Sequence, residues 1–397
     1  MPNGFGRRAL LGGAALLAAT RARAQDAPVR IGVLTDEAGP YADSGGAGSV
    51  AAARMAVQDH GGTVLGRPVE VLHADTLNKP DVAAIQARHW YDAGVDAITD
   101  LPVTPVAAVV QQVAAEKQRT VMITAAAVTA FTAKTCAPIS SHWADDTHAL
   151  TTAIGKTLTA EGRPDWFFIT VDFSFGAALQ AAATQVIEAN GGRVIGSARF
   201  PIGNGDFSAQ VVQAQSSRAK VIGLAAVGGD QVTLIKQAAE FGLGTGGAQT
   251  LAGFLIYITD IHALGLKVAQ GLTVSTGFYW DQDDGTRAFA RRFFAGRHAM
   301  PTKNQAMVYA STRHFLRAMA QAGTRDAMAV NAAMRALPVD LFGTPATLRA
   351  DGRVLYDLGI WRVKRPEESR AAWDYYAPIG RLAAAEAFLP INPACRS

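Results

Sequence analysis

Cysteine is almost absent from this chain, with 2 in 397 residues. Cys136 and Cys395 are too few for a disulfide scaffold and leave either one bridge or two free thiols. Metal-ligand spacing is missing as well. The 8 histidines are scattered, none lies in H-E-x-x-H, and none pairs with cysteine at zinc spacing, so no metal site is expected. There is also little surplus charge. Residues 1–24 hold Arg7, Arg8, Arg21 and Arg23 and no acid, so the remaining chain balances 33 basic against 33 acidic side chains. A balanced chain lacks the basic footprint that phosphate tracking requires, which argues against a nucleic-acid partner. Beyond the first segment no apolar run reaches the ~20 residues of a membrane span.

The first 24 residues have their own character. Arg7-Arg8 precede the apolar run Ala9–Ala19, and Ala22-Arg23-Ala24 has the small-x-small form of a signal-peptidase site. This predicts an export leader cleaved before Gln25, with the secretion and twin-arginine routes both open. Export to an oxidising compartment such as the periplasm favours pairing Cys136 with Cys395.

Short runs rich in Val, Ile and Leu then alternate with helical patterns. Expected strands are 29–34, 69–74, 97–99, 121–124, 166–171, 194–198, 221–225 and 272–276, without the strict alternation of a half-exposed sheet. Between them, Val106, Val109, Val110 and Val113 recur at helical spacing, as do Leu179, Ala182, Ala183, Val186 and Ile187. Such alternation predicts right-handed βαβ units on parallel sheets. It occurs twice, over 29–124 and 166–252, with His142–His148 as the crossing between. Helices are expected at 287–297, 304–322 and 326–337, a turn at Asp351-Gly352, and one further strand at 358–364. The fold class is α/β, with two doubly wound lobes.

Two catalytic motifs are matched only in form. Gly46-Ala-Gly48-Ser-Val-Ala51 fits G-x-G-x-x-A, but ten residues (36–45) separate it from the first strand, too many for a dinucleotide turn. Ser44 in Ala42-Asp-Ser-Gly-Gly46 sits in the middle of that loop, whereas an elbow serine needs a strained strand-to-helix turn. No cofactor is expected. Asp36, Asp172 and Asp230 follow strand ends, where capping and turn formation explain them. Aromatic residues collect at the same ends: Tyr41, Phe173, Phe175 and Phe278-Tyr279-Trp280. Ligands of open α/β sheets bind outside the strands' C-terminal ends.

Several segments together carry a family resemblance. They are Gly39-Pro40 with the Gly-rich helix start, Asn78-Lys-Pro80, Asp172-Phe-Ser-Phe-Gly176, Gly203-Asn-Gly-Asp-Phe-Ser208 and Lys236-Gln-Ala-Ala-Glu-Phe-Gly242. In this order the chain resembles the periplasmic solute-binding proteins of branched-chain-amino-acid-type ABC transporters over nearly all of 27–390. Ile258–Leu266 and Trp373–Tyr376 place it near a proteobacterial branch. The resemblance implies two lobes joined by three crossings, with 27–145 plus 277–348 in one, 146–276 plus 349–390 in the other, and a tail at 391–397. It implies a non-enzymatic, monomeric binder that delivers a small molecule to an ABC permease, or a sensory module of the same fold; an exported α/β hydrolase is the more distant alternative. By position, the first-lobe contacts would be Tyr41, Ser44, Pro102, Val103, Thr104, Ala127, Val128 and Thr129, the last three at a helix start suited to a carboxylate. Phe175, Gly228, Asp230 and Phe254 would be the second-lobe contacts, with Tyr279 and Trp280 beside the last crossing. The second-lobe loops Val227-Gly228-Gly229 and Gly253-Phe254-Leu255 offer only Asp230 to an ammonium group. An aromatic or short aliphatic carboxylic acid therefore suits them at least as well as an amino acid.

The leader assignment predicts that protein recovered from the periplasm of an expressing bacterium begins at Gln25. Intact mass and N-terminal sequencing check this; an uncleaved Met1 would contradict it.

Overall fold

The computed structural model describes residues 27–244 and 248–395, so the leader lies outside the described residues. Two sheets organise the chain. The first has the order β2-β3-β1-β4-β5-β6, built from β1 (Val29–Thr35), β2 (Thr63–Val64), β3 (Arg67–Asp75), β4 (Ala97–Asp100), β5 (Thr120–Ile123) and β6 (Ser140–His142). All neighbours are parallel except the β2–β3 pair. The second sheet collects β7 (Asp165–Val171), β8 (Arg193–Phe200), β9 (Val221–Ala225), β10 (Thr250–Gly253), β11 (Thr273–Thr276), β15 (Leu358–Val363) and β16 (Tyr376–Leu382) in the order β16-β15-β11-β10-β9-β7-β8. A small antiparallel sheet joins β12 (Val339–Leu341), β13 (Thr344–Leu348) and β14 (Val354–Leu355).

Helices cover both large sheets. They are α1 (Gly46–Asp59), α2 (Pro80–Asp92), α3 (Thr104–Lys117) and the single turn α4 (Ala130–Ala133) beside the first, and α5 (Thr147–Ala160), α6 (Ser174–Ala189), α7 (Ser208–Ser217), α8 (Gly228–Glu240), α9 (Ile258–Leu264) and α10 (Leu266–Ala269) beside the second. The chain then returns. Phe289 and Phe293 of α11 (Asp284–Arg297) and Ala306 and Val308 of α12 (Lys303–Ala322) pack with Val33 and Val50 of the first sheet and α1. Helix α13 (Ala327–Ala336) and β12 to β14 follow, and α14 (Ala384–Ala387) lies against α5. Taking each sheet with its helices, we propose lobes of 27–145 with 277–348 and 146–276 with 349–390.

The eight strands expected from apolar runs are present. Those missed differ in cause. β16 is an edge strand containing Pro378 and Gly380, exposed over most of its length, and so carries no apolar signature. β10 has only four residues, and the β12–β13 hairpin is short and follows α13 closely.

The three crossings converge on one buried carboxylate. Asp145, on the first crossing, accepts from Lys303 Nζ at 2.9 Å and from the Gly277 N–H of the second crossing at 3.2 Å. The Tyr356 hydroxyl of the third lies 2.9 Å from the same carboxylate and 2.8 Å from the Trp143 carbonyl oxygen, sharing one proton between them. Beside this, the buried Arg353 guanidinium donates to the Ala144 carbonyl (2.6 Å) and to His142 Nδ1 (3.0 Å). Burial and Arg353 hold the His142 imidazole well below its usual pKa, so it stays a neutral acceptor.

Cys136 and Cys395 form a disulfide that ties the tail to the loop between α4 and β6. Asn392 Nδ2 donates to the Ala133 carbonyl beside it at 2.6 Å. The tail follows the last strand of the second sheet, so this is a fourth link between the lobes.

Two predictions follow from the crossings. Lys303→Met leaves the Asp145 carboxylate buried without its cation and is expected to cost about 3–5 kcal/mol in urea unfolding, while adding Asp145→Asn restores most of the loss. An unchanged single variant would remove Asp145 from its central place. Replacing both cysteines by alanine is expected to cost about 2–4 kcal/mol by the same measurement.

Candidate functional site

Between the C-terminal ends of the two sheets lies a cleft of about 600 Å³, part of it open to solvent. The 36–45 loop makes one wall. Its shape comes from Asp36, whose carboxylate accepts from the N–H groups of Gly39 (2.6 Å) and Tyr41 (2.9 Å) and from Asn78 Nδ2 (2.8 Å). A Cβ on Gly39 would lie 2.7 Å from both Asp36 oxygens, so a side chain there would push the carboxylate out of these bonds.

The first turn of α12 holds this loop in place. Thr302 Oγ1 donates to the Ser44 carbonyl (2.6 Å), and Gln305 Nε2 to those of Asp43 (3.2 Å) and Gly45 (3.1 Å). Between them, Lys303 reaches Asp145 and Asn304 Nδ2 donates to the Tyr257 hydroxyl across the cleft (3.1 Å). Four consecutive side chains thus join one wall, the crossings and the opposite wall.

The cleft's electrostatics come from helix ends. Three long helices, α3, α6 and α8, begin at it with Val103, Phe173 and Val227 in the N-cap positions, and none has a side-chain cap. Apolar caps cannot accept from the free N–H groups of a first helical turn. A missing side-chain cap is shared by α1, α2 and α7, whereas α5, α11, α12 and α13 are capped by Asp146, Asp283, Thr302 and Asp326. The uncapped ends bring partial positive charge to a lining that contains no lysine or arginine. Asp230 is the only acid in that lining, and its Oδ2 accepts from the Gly203 N–H at 2.8 Å.

Two phenols are kept neutral here. Burial, then Asp230 and Asp36, raise the Tyr41 pKa; burial raises that of Tyr257. Behind Tyr257, Asp260 accepts its backbone N–H at 2.8 Å, and burial with Asp43 nearby pushes this carboxyl up to about 7.

The structure brings Tyr41, Ser44, Pro102, Val103, Thr104, Ala127, Phe175 and Asp230 to the cleft wall. The other residues carried over by position lie elsewhere. Val128 is buried in the first core, and Thr129 Oγ1 bonds Thr147 Oγ1 at 2.9 Å, while Ala127 alone of this expected helix start lines the cleft. Phe254 is fully buried, its ring against Trp166 and Phe168 with centroids 6.3 and 6.0 Å apart. Tyr279 and Trp280 line an adjoining chamber and donate to the Trp373 carbonyl. Gly228 marks lobe contact: its φ is +66°, and a Cβ there would meet the Pro40 carbonyl oxygen at 3.1 Å.

Sequence reasoning missed Tyr257 and Asn304, the polar pair facing the cleft, together with Ile202 and Leu255. Tyr257 sits in the apolar run 254–258, which reads as core. Asn304 was findable: Thr302 and Gln305 form a capping box, which marks position 304 as part of a helix's first turn.

Comparison with known proteins agrees with this architecture. No curated protein matches the chain. A periplasmic binding protein from Burkholderia mallei is 39% identical, with a TM-score of 0.88 over 93% of this chain and 98% of its own. A branched chain amino acid ABC transporter periplasmic ligand-binding protein from Burkholderia xenovorans is 37% identical, with a TM-score of 0.83 over 91% and 97%. An ABC transporter solute binding protein from R. palustris in complex with benzoate shares the fold at 18% identity, with a TM-score of 0.80 over 90% and 97%. Residues 28–369 match the family described as periplasmic binding protein, and with two lobes of the type I fold closing on one cleft the chain belongs to that family.

Proposed function

We propose that the protein captures a small carboxylate with an apolar body, aromatic or branched aliphatic, and delivers it to an ABC permease. The observation that carries this reading is the convergence of three uncapped helix starts on a cleft without a basic side chain. Free N–H groups at helix starts receive anions. The rest of the wall suits an apolar body: Val103, Val171, Phe173, Phe175, Ile202 and Leu255 supply surface, and a few polar groups fix orientation. The benzoate-bound relative shows that this fold accommodates an aromatic acid. Capture rather than turnover is supported by membership of a solute-binding family.

One observation favours a narrower reading. Asp230 stands in the wall with one carboxylate oxygen uncommitted and two neutral phenols in the same cleft, a setting for the ammonium of an α-amino acid. The two readings share the carboxylate and differ in the response of one variant.

The test is native mass spectrometry for a co-purifying solute, followed by calorimetry with benzoate, 4-hydroxybenzoate, leucine, phenylalanine and the primary amides of each. A carboxylate is expected to bind at least tenfold, about 1.4 kcal/mol, more tightly than its amide. Equal affinities, or chemical conversion of a solute, would overturn the proposal. Asp230→Asn should weaken an amino acid at least tenfold and leave a simple acid unweakened. Phe175→Ala should weaken any bound carboxylate about tenfold, whereas Trp280→Ala, in the adjoining chamber, should have the smaller effect.

A further inference from the structure

A chamber of about 320 Å³, counting space open to solvent, adjoins the cleft beside the second crossing. Among the described residues Tyr257 alone lines both. Along its segment Leu255 faces the cleft, Ile256 and Ile258 the chamber, and Tyr257 the two together. The first turn of α12 repeats the division, with Asn304 in the cleft wall and Lys303 in the chamber wall.

Tyr257 is held as the partition between these spaces. Asp260 accepts its backbone N–H at 2.8 Å. On the cleft side its hydroxyl accepts from Asn304 Nδ2 at 3.1 Å, and on the chamber side Lys303 Nζ stands over the ring, 5.6 Å from its centroid. Swinging the ring aside breaks the Asn304 bond and leaves a buried amide unpaired.

The chamber behind the ring suits apolar matter. Phe278, Tyr279, Trp280 and Tyr376 join Tyr257 in its wall, and no carboxylate lines it. Its one cation, Lys303, is committed to Asp145 at 2.9 Å. The wall is locked from outside: Tyr279 Oη and Trp280 Nε1 both donate to the Trp373 carbonyl, at 3.3 and 2.8 Å, and His262 stacks on Trp373 with centroids 3.9 Å apart. Two segments singled out in the sequence, 258–266 and 373–376, thus meet here, with Ile258 and Tyr376 in the chamber wall.

We propose that Tyr257 sets the length of ligand the cleft accepts, by closing it against an aromatic chamber able to take the far end of a longer acid. The inference rests on the carboxylate reading of the cleft. A single ring or a branched aliphatic body stops at Tyr257. A phenyl group carried on several methylenes finds an aromatic pocket only when the Tyr257 ring is gone, and there it gains contact area. Loss of the Tyr257–Asn304 bond alone loosens closure on every ligand alike, so it cancels in a ratio of affinities.

The experiment is calorimetry of the full protein with two pairs of acids, benzoate with 5-phenylpentanoate and phenylalanine with 2-amino-6-phenylhexanoate. The ratio of dissociation constants within a pair is the readout. Tyr257→Ala is expected to move it at least tenfold toward the longer acid. Tyr257→Phe, which loses the hydroxyl and keeps the ring, should leave it at the parent value. Adding Ile258→Trp to Tyr257→Ala refills the chamber and should cancel the gain. Tyr257→Leu carries the test if Tyr257→Ala fails to fold. A ratio unmoved by both, moved as far by Tyr257→Phe, or still moved with the chamber refilled would overturn the inference. Ordinary binding of a short acid with an unmoved ratio overturns it alone, whereas a parent that binds neither pair overturns the carboxylate reading with it.

Discussion

The structure depends on a buried ion pair, Lys303 with Asp145. Three separate crossings must run side by side for two lobes to hinge, and each brings polar backbone into a dry region. The Asp145 carboxylate answers two of these needs at once, taking the Gly277 N–H and a share of the Tyr356 hydroxyl proton while standing on the remaining crossing itself. Such a pair adds little net stability compared with apolar packing, but it specifies one arrangement, because removing either partner strands a charge.

Position in the chain ties the pair to the cleft. Lys303 sits in one helical turn with Thr302, Asn304 and Gln305, and these three hold the 36–45 loop and Tyr257. A ligand that orders either wall bears on the turn that clamps the crossings. Contiguous hydrogen bonds thus join the cleft walls to the crossings, a route by which a captured ligand would bear on hinge position.

Much of the fold was legible because buried parallel strands write themselves as apolar runs: Ile31, Val33, Val121 and Ile222 have no other place to go. β16 does not, since its four consecutive residues Pro378 to Arg381 are exposed. Within the site, Tyr41, Ser44, Val103 and Phe175 were reachable because loops after strand ends face the crevice. Tyr257 and Phe254 show the limit. They are three residues apart in one apolar run, yet Tyr257 faces the cleft and Phe254 fills the core, a distinction set by the turn into α9. The missing N-caps of α3, α6 and α8 were also present in the sequence. An apolar residue where serine or aspartate would normally stand is a quiet signal, visible only once the helix starts are known to converge.

The central claim is that helix starts, not basic side chains, hold the ligand's anion. A crystal structure of the protein with its bound solute tests this most directly. The account predicts carboxylate oxygens within about 3 Å of backbone N–H groups in the first turns of α3, α6 or α8, with the apolar body against Phe175. A solute held through lysine or arginine, or seated outside the cleft, would contradict it.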